Sequence, residues 1–200
     1  MMDDEILKHL GYPSPELADS WTLALVQRAK EELSQVAAFR AVSMFCDRLP
    51  IALDHHRAYS EFLTGSSGVL LIAATLGAQV DRHLRRLQVE DTAYAVVFNA
   101  AAGVWLEQET DTYQHSLPYK ELGFRFGPGY AGTPLSDNRV IAGLLRADRI
   151  GITFLDSGLM VPSKSMVGMV KVGGDRKRSC DNCAARPNCR YRANGQRCYG

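Results

Sequence analysis

The chain has 200 residues, of which 46% are hydrophobic and 22% are charged. That length and apolar content predict one globular domain with a sizeable core, with room for a small appendage. The formal net charge of +1 gives no reason to expect the whole surface to bind nucleic acid or an anionic membrane.

The chain is expected to be cytoplasmic. It opens with Met-Met-Asp-Asp-Glu, which is acidic where a secretory signal would be basic. Its apolar runs all fall short of the ~20 residues that a membrane span needs. We therefore expect no membrane partner, and thiols that stay reduced.

Helical and strand-like patterns are interspersed along the chain without a regular βαβ spacing. Helices are predicted at residues 3–10, up to about residue 36, and at 61–64, 79–87, 92–112 and 138–146. Strands are predicted within 38–49 and at 69–74, 122–126, 149–155 and 166–172. This mixture predicts an α+β fold, a mainly antiparallel twisted sheet flanked by helices. We expect a domain of residues 1–173 followed by a basic, cysteine-rich tail of residues 174–200.

Helix caps and core positions follow from local patterns. The predicted caps are Ser14 or Ser20 for the second helix, Asp91 for helix 92–112, and Ser136 or Asp137 for helix 138–146. The predicted core stripe of the second helix is Leu17, Trp21, Leu25, Ala29 and Leu33. The predicted inward positions of helix 92–112 are Val96, Val97, Ala100, Val104 and Leu106.

Isolated polar residues mostly have ordinary interpretations. His55 and His56 are adjacent, so they cannot share one helix face, and packing or surface roles are favoured over a metal site. Cys46 stands in an apolar segment and is expected to be a small buried hydrophobe. The small side chains at 100–103 are predicted to let another group approach closely. The acidic residues that follow, Glu107 among them, are on the residues alone more typical of a solvated helix end.

Residues 123–134 are too rich in glycine and proline for a regular element, and they carry one fixed cation, Arg125. Glycine lets the backbone come close to a ligand, and a loop with a charged anchor is typical of a binding site. On the residues alone, a structural turn is an equally good interpretation.

Four cysteines lie close together in the tail: Cys180, Cys183, Cys189 and Cys198. The tail has almost nothing apolar to bury, and a metal centre is the usual substitute for a core. An iron–sulfur cluster is slightly favoured over zinc, and free or redox-active thiols are the alternative. The tail also has seven basic residues against two acidic ones, which leaves open a nucleic-acid-binding knuckle. Nucleic acid is disfavoured because only Tyr191 lies inside the cysteine frame to stack on bases.

The sequence Arg125-Phe-Gly-Pro-Gly-Tyr130 resembles the Arg-x-x-Pro-Gly-Tyr signature of the activation domain of cobalamin-dependent methionine synthase. Met160-Val-Pro-Ser-Lys-Ser165, with Gly168, resembles the later Met-x-Pro-x-x-Ser element of that domain. Three further segments resemble the short, free-standing members of this family: residues 5–11, residues 71–81 and the small-residue helix that leads to Glu107. The resemblance covers about residues 1–172.

The resemblance implies an accessory subunit for reductive reactivation of cobalamin-dependent methionine synthase, rather than a complete enzyme. In the family, the activation domain binds S-adenosylmethionine, whose methyl group reactivates oxidised cob(II)alamin with one electron from a reductant. The implied partners are a methionine synthase or related corrinoid protein, which carries the cobalamin, and an electron donor. This chain shows no Asp-x-His-x-x-Gly cobalamin-ligand motif.

The resemblance also assigns roles to residues. Arg125 would pair with the carboxylate of S-adenosylmethionine, and Glu107 would meet its amino group. The loop that contacts the rest of the ligand would consist of Gly127, Pro128, Gly129, Tyr130 and Ala131. Lys164 and Ser165 would face the ligand or the corrinoid partner.

The chain departs from the larger family members after the second motif. Those members continue into another strand with two ligand-binding tyrosines, whereas this chain continues with Gly173-Gly174 and the cysteine tail. One hypothesis is that a tail cluster supplies the electron. The alternatives are a metal-binding interaction module for a corrinoid protein that does not bind S-adenosylmethionine, and nucleic-acid binding through the tail.

Overall fold

The computed structural model describes residues 2–174, 190–193 and 195. The helices are α1 Met2–His9, α2 Ser20–Val36, α3 Arg57–Phe62, α4 Ala78–Glu90, α5 Thr92–Ser116, α6 Asp137–Leu145 and the short α7 Arg190–Ala193. The strands are β1 Arg40–Cys46, β2 Gly68–Thr75, β3 Leu122–Phe126, β4 Thr153–Phe154, β5 Met160–Val161 and β6 Ser165–Val172. Short 3-10 turns occur at Pro15–Leu17, Ile51–Leu53 and Ala147–Ile150.

The strands form one antiparallel sheet in the order β1-β2-β6-β3, flanked by helices, and β4 pairs with β5 in a separate hairpin. The predicted α+β class is therefore confirmed. All eight residues of β2 are buried, as its continuous apolar run predicts. In the described part of the chain, no helix is both long and apolar enough to span a membrane.

The chain divides into two compact units. The first unit is Met1–Val42, Ala73–Leu117 and Arg146–Met166, and the second is Ser43–Ile72, Pro118–Leu145 and Val167–Gly200. The predicted boundary between a domain of residues 1–173 and a tail of residues 174–200 stays a prediction, since most of that tail lies outside the described residues.

The first unit is built around α5, which packs against α1, α2 and α4. Tyr94 and Phe98 of α5 are fully buried, and the Arg28 guanidinium lies 3.9 Å from the Tyr94 ring centroid. The helices are also joined by polar contacts, because Glu32 of α2 lies 2.6 Å from His83 Nε2 of α4 and 2.8 Å from Arg28 Nε. Burial alone would raise the pKa of Glu32, but hydrogen bonds from His83 and Arg28 outweigh it and lower that pKa.

Two capping predictions have different outcomes. Asp91 caps α5 as predicted, since its carboxylate accepts a hydrogen bond from Tyr94 N at 3.0 Å. The prediction of Ser14 or Ser20 for α2 is wrong: α2 begins at Ser20, and Asp19 accepts a hydrogen bond from Thr22 N at 2.7 Å. Asp19 occupies the position immediately before the first helical residue, where a side-chain oxygen can reach the free amides.

The predicted core stripe of α2 is partly wrong. Leu17 and Trp21 are 64% and 61% exposed, whereas the buried face of α2 consists of Thr22, Val26, Ala29 and Leu33. Each step of four residues turns about 40° beyond a full helical turn, so a stripe built only of such steps drifts off one face. The residues that are buried in α2 are separated by four, three and four positions, which keeps them on one face of the helix. Val96 of α5, predicted to point inward, is 58% exposed.

The predicted strand 149–155 is also wrong over most of its length. Residues Ala147–Ile150 form a 3-10 turn between Arg146 and Gly151, both of which have left-handed backbone conformations. The strand that remains is β4, Thr153–Phe154. The apolar alternation at 150–154 predicts a strand, but a left-handed residue ends any extended run.

The second unit contains a cluster of aromatic side chains. Phe62 of α3 lies 5.3 Å from Phe124 and 5.0 Å from Phe126 of β3, measured between ring centroids. Tyr59 of α3 packs edge-on against Phe126 at 5.9 Å. Strand β3 pairs with β6 so that Arg125 lies opposite Val170 and Phe126 opposite Met169. The alternating phenylalanines therefore fix which face of β3 carries Arg125.

Candidate functional site

Arg125 is positioned by the alternation of β3. Phe124 and Phe126 both contact Phe62, so the side chain between them points to the other face of the strand. Arg125 is half-buried, and its Nε atom is fully buried. A guanidinium fixed in this way keeps its charge and offers a planar pair of donors to a carboxylate.

The loop 127–136 follows Arg125 directly, and its backbone is folded around the hydroxyl of Thr133. That hydroxyl accepts a hydrogen bond from Gly129 N at 3.1 Å and donates one to Tyr130 O at 2.7 Å. Gly129, Ala131 and Gly132 have positive φ angles, which explains the need for glycine at two of these positions. Pro128 is buried, while the Tyr130 side chain is 67% exposed. The loop therefore holds a defined shape and presents an aromatic ring to solvent.

Close contact between β3 and β6 supports the start of this loop. A Cβ on Gly168 would lie 2.9 Å from Phe126 O, and one on Gly127 would lie 3.6 Å from Val167 O. Gly168, which accompanies the second motif, is thus explained by backbone packing against Phe126, the residue after Arg125.

A polar cluster beside the loop has no counterpart in the sequence predictions. Asp137, the first residue of α6, is buried, and its Oδ2 accepts a hydrogen bond from Tyr59 at 2.7 Å. The same oxygen lies 3.1 Å from His55 Nε2. Burial raises the pKa of Tyr59, the bond to Asp137 raises it further, and the Thr133 hydroxyl opposes the shift. We call His55, Tyr59, Thr133 and Asp137 the Asp137 cluster.

The sequence offers little signal for this cluster, since Tyr59 and Asp137 are 78 positions apart. His55 was expected to be a surface or packing residue, and its side chain is 47% exposed. His56 accepts a hydrogen bond from Ala58 N and so caps α3. Among the described residues, no group of histidine, cysteine, aspartate and glutamate side chains could hold a metal ion.

Glu107 belongs to the first unit and is exposed near the C-terminal end of α5. Arg125 belongs to the second unit. Their joint role in holding one ligand stays a prediction. The neighbouring Gln108 side chain donates a hydrogen bond to Glu5 of α1 at 3.1 Å.

The second motif, residues 160–165, is held against the helices of the first unit. Ser163 donates from its backbone nitrogen and its hydroxyl to Asp81 of α4, at 2.8 and 2.7 Å. The Lys164 ammonium donates to Asn99 O at 2.9 Å and lies 3.9 Å from the position of a Cβ on Gly103. The predicted close approach at residues 100–103 is therefore explained by Lys164.

Ser165, the last residue of the second motif, is also held in place. Ser165 is buried and its hydroxyl donates to Thr75 Oγ1 at 2.8 Å. Burial lowers the pKa of the Lys164 ammonium, and the Asp81 carboxylate opposes that shift. The role of Lys164 and Ser165 toward a ligand or partner stays a prediction.

The predicted metal ligands Cys180, Cys183, Cys189 and Cys198 all lie outside the described residues. The iron–sulfur and zinc predictions therefore remain predictions. Cys46, expected to be a small buried hydrophobe, is half-buried, and burial raises the pKa of its thiol, which favours an unreactive thiol.

The chain has a clear similarity in fold to a solved structure, that of the MetH reactivation domain bound to AdoHcy. The match has a TM-score of 0.63 and covers 98% of this chain and 82% of that chain, at 14% sequence identity. No family model and no curated protein matches the sequence. At this identity the likeness establishes the fold alone: the chain has the α+β fold of that reactivation domain.

Proposed function

We propose that this protein is an accessory subunit for reductive reactivation of a cobalamin-dependent methionine synthase, with S-adenosylmethionine as the methyl donor. The observation that carries the proposal is the likeness in fold to a methionine synthase reactivation domain over 98% of the chain. A second support is the position of the Arg-x-x-Pro-Gly-Tyr motif, which spans the end of β3 and the loop 127–136.

The residues of this motif fit an S-adenosyl ligand. The half-buried Arg125 guanidinium would form charge-assisted hydrogen bonds with the ligand's carboxylate. Gly127 and Gly129 carry no side chain of their own, and the exposed Tyr130 ring would stack on an apolar or aromatic part of the ligand. The chain would thus orient the ligand, while the chemistry, methyl transfer to cobalt with uptake of one electron, belongs to the partner's cobalamin.

Calorimetric titration with AdoHcy and with S-adenosylmethionine tests ligand binding. We expect both ligands to bind the wild-type chain, and we expect Arg125→Ala to weaken binding about 10- to 100-fold, since a hydrogen-bonded charge contributes about 1.5–3 kcal/mol. Arg57→Ala is the matched control, because Arg57 lies in the same unit and pairs with Glu61 on an exposed surface of α3. Full-strength binding by Arg125→Ala would remove Arg125 from the site.

A reactivation assay tests the function itself. A methionine synthase that lacks its own reactivation domain would be oxidised to the cob(II)alamin form and then mixed with this chain, S-adenosylmethionine and a chemical reductant. We expect the absorption spectrum to return to that of methylcobalamin only when the chain and the methyl donor are both present. Binding of a corrinoid protein without binding of either S-adenosyl ligand would instead support the interaction-module alternative.

A further inference from the structure

Thr133 makes three hydrogen bonds to the residues just before it in loop 127–136. Its hydroxyl accepts from Gly129 N at 3.1 Å and donates to Tyr130 O at 2.7 Å. Its backbone nitrogen also donates to Tyr130 O, at 3.0 Å. A hydroxyl can accept and donate at the same time, and Thr133 is only 5% exposed. One buried residue therefore binds the backbone on both sides of the Gly129–Tyr130 step.

The neighbouring hydroxyl of Tyr59 is compatible with these bonds. Tyr59 donates its proton to Asp137 Oδ2 at 2.7 Å, so it does not compete with Gly129 N to donate to Thr133. The Thr133 proton goes to Tyr130 O. Each hydroxyl proton therefore has its own acceptor.

The backbone that Thr133 holds has an unfavourable shape. Gly129, Ala131 and Gly132 have φ angles of 93°, 51° and 78°. Alanine is disfavoured in this region because its Cβ comes too close to a carbonyl oxygen, and glycine has more conformational freedom to lose than any other residue. Such a conformation persists only where surrounding interactions hold it, and the three bonds of Thr133 are interactions of that kind.

The segments on either side of residues 129–133 are held by other elements. Phe126 of β3 pairs with Met169 of β6, and Asp137 N donates to Pro134 O at 3.2 Å where α6 begins. Between them, the bond from Tyr130 N to the carbonyl of residue 127 is long, at 3.4 Å. Thr133 therefore supplies the side-chain hold on the middle of the loop.

We infer that Thr133 is a positioning residue, which holds residues 129–133 in the shape that receives the ligand before the ligand arrives. Thr133 acts through the backbone of Gly129 and Tyr130 and does not itself contact the ligand. A loop that is already ordered binds more tightly, because ordering it during binding would cost free energy. The ligand part of this inference rests on the proposed function, whereas the hold on the loop does not.

Hydrogen exchange of the Gly129 amide tests the hold on the loop without any ligand. Thr133→Val keeps the shape of the side chain and removes the hydroxyl, so we expect the protection of Gly129 N to fall about tenfold. Thr133→Ser keeps the hydroxyl and should stay within about twofold of wild type. Thr64→Val is the matched control, since the Thr64 hydroxyl of the same unit donates to Ser60 O on an exposed surface.

The affinity for AdoHcy is the second readout. We expect Thr133→Val to bind AdoHcy about tenfold more weakly than wild type, and Thr133→Ser and Thr64→Val to bind it normally. AdoHcy should add little to the protection of Gly129 N in wild type, where the loop is already ordered. In Thr133→Val it should restore up to about tenfold, because the coupling between loop and ligand is reciprocal. A general loss of stability would not produce this difference.

Gly132→Ala disturbs the same loop without changing Thr133. A Cβ on Gly132 would meet nothing within 4 Å, but its φ of +78° is disfavoured for a residue with a side chain. We expect this backbone strain to weaken AdoHcy binding about fivefold. If Thr133→Val does not fold, Gly132→Ala decides the ligand part, and wild-type affinity in that variant would overturn it.

The outcomes separate this inference from the proposed function. Loss of Gly129 protection in Thr133→Val, with no AdoHcy binding even by wild type, would refute the proposed ligand and leave the hold on the loop intact. Loss of protection with unchanged affinity would overturn the ligand part. Unchanged protection in Thr133→Val would overturn the positioning role, and weaker binding in that case would mean that Thr133 contacts the ligand directly.

Discussion

At Gly168, the backbone of β6 passes close to that of β3. A Cβ at this position would lie 2.9 Å from Phe126 O, a backbone atom that cannot rotate away. We expect Gly168→Ala to lower the free energy of unfolding by about 1–3 kcal/mol through overpacking and to weaken ligand binding through its effect on β3. Chemical denaturation followed by circular dichroism measures the first effect.

Gly143 offers the matched control. It lies within α6, and a Cβ at this position would meet nothing within 4 Å. Gly143→Ala should therefore raise the free energy of unfolding by about 0.5–1 kcal/mol, the usual gain from alanine in a helix. Equal stability changes in the two variants would contradict the close approach of the strands at Gly168.

Individual residues show what the sequence reveals about the candidate site. Arg125 and its glycine-rich loop are recognisable because the composition of a short segment identifies them. The Asp137 cluster is not, because its members come from two segments far apart in the sequence, 55–59 and 133–137, and each has an ordinary local interpretation. Asp137 in particular has the sequence pattern of a helix cap, and only the fold brings Tyr59 and His55 to its carboxylate.

At the scale of the elements, the start of α2 gives a direct test of the corrected cap. Asp19→Ala removes the acceptor for Thr22 N and should lower the free energy of unfolding by about 1 kcal/mol. Ser14→Ala removes a hydroxyl whose partner is the exposed Glu16, so it should change stability by less than about 0.5 kcal/mol. A larger loss in Ser14→Ala than in Asp19→Ala would restore the capping role to Ser14.

The contact between α2 and α4 should make stability depend on pH in the acid range. The pKa of Glu32 is lowered in the folded chain, so Glu32 stabilises the fold above its unfolded pKa of about 4.3. This contribution is lost as the pH falls through the folded pKa. Glu32→Gln should therefore lower the free energy of unfolding by about 1 kcal/mol at pH 7, and its difference from wild type should shrink below about pH 4.

Glu31→Gln is the control for this effect, since Glu31 is the exposed neighbour of Glu32 on the same helix. Denaturation curves for both variants at pH 7, 5 and 3.5 would provide the comparison. A difference between Glu32→Gln and wild type that stays constant with pH would argue against a hydrogen-bonded, ionised Glu32.

Elements differ in how well their sequences predict them. The strands β2 and β3 and the helix α5 were recognisable because each combines a clear hydrophobic pattern with nearby boundary residues. The predicted strand 149–155 fails because its first residues belong to the 3-10 turn Ala147–Ile150 and Gly151 has a left-handed backbone. The exposed Trp21 shows that a stripe of apolar residues does not by itself identify the buried face of a helix.

At the scale of the whole molecule, the fold class follows from the order of helices and strands, and the likeness to the MetH reactivation domain agrees with it.

The composition of the tail predicts a metal centre at Cys180, Cys183, Cys189 and Cys198. After anaerobic purification we expect the full chain to contain iron and acid-labile sulfide and to absorb visible light. Cys183→Ser should reduce all three signals at least several-fold, whereas Cys46→Ser should leave them unchanged. Stoichiometric zinc without iron would contradict the cluster.

The glycine pair Gly173-Gly174, which follows β6, packs closely against neighbouring segments of the second unit. A Cβ on Gly174 would lie 2.6 Å from Gly65 O, one on Gly173 would lie 2.9 Å from Ser67 Oγ, and Gly173 N donates to Glu121 O at 3.0 Å. Leu122 pairs with Val172 and Phe126 with Met169, so the glycine pair and the loop 127–136 lie at opposite ends of one strand pair, about 13 Å apart. A fluorescent label attached at the glycine end of this strand pair would therefore have a fixed position. Energy transfer from it to a label at the loop would then measure movement of the loop itself.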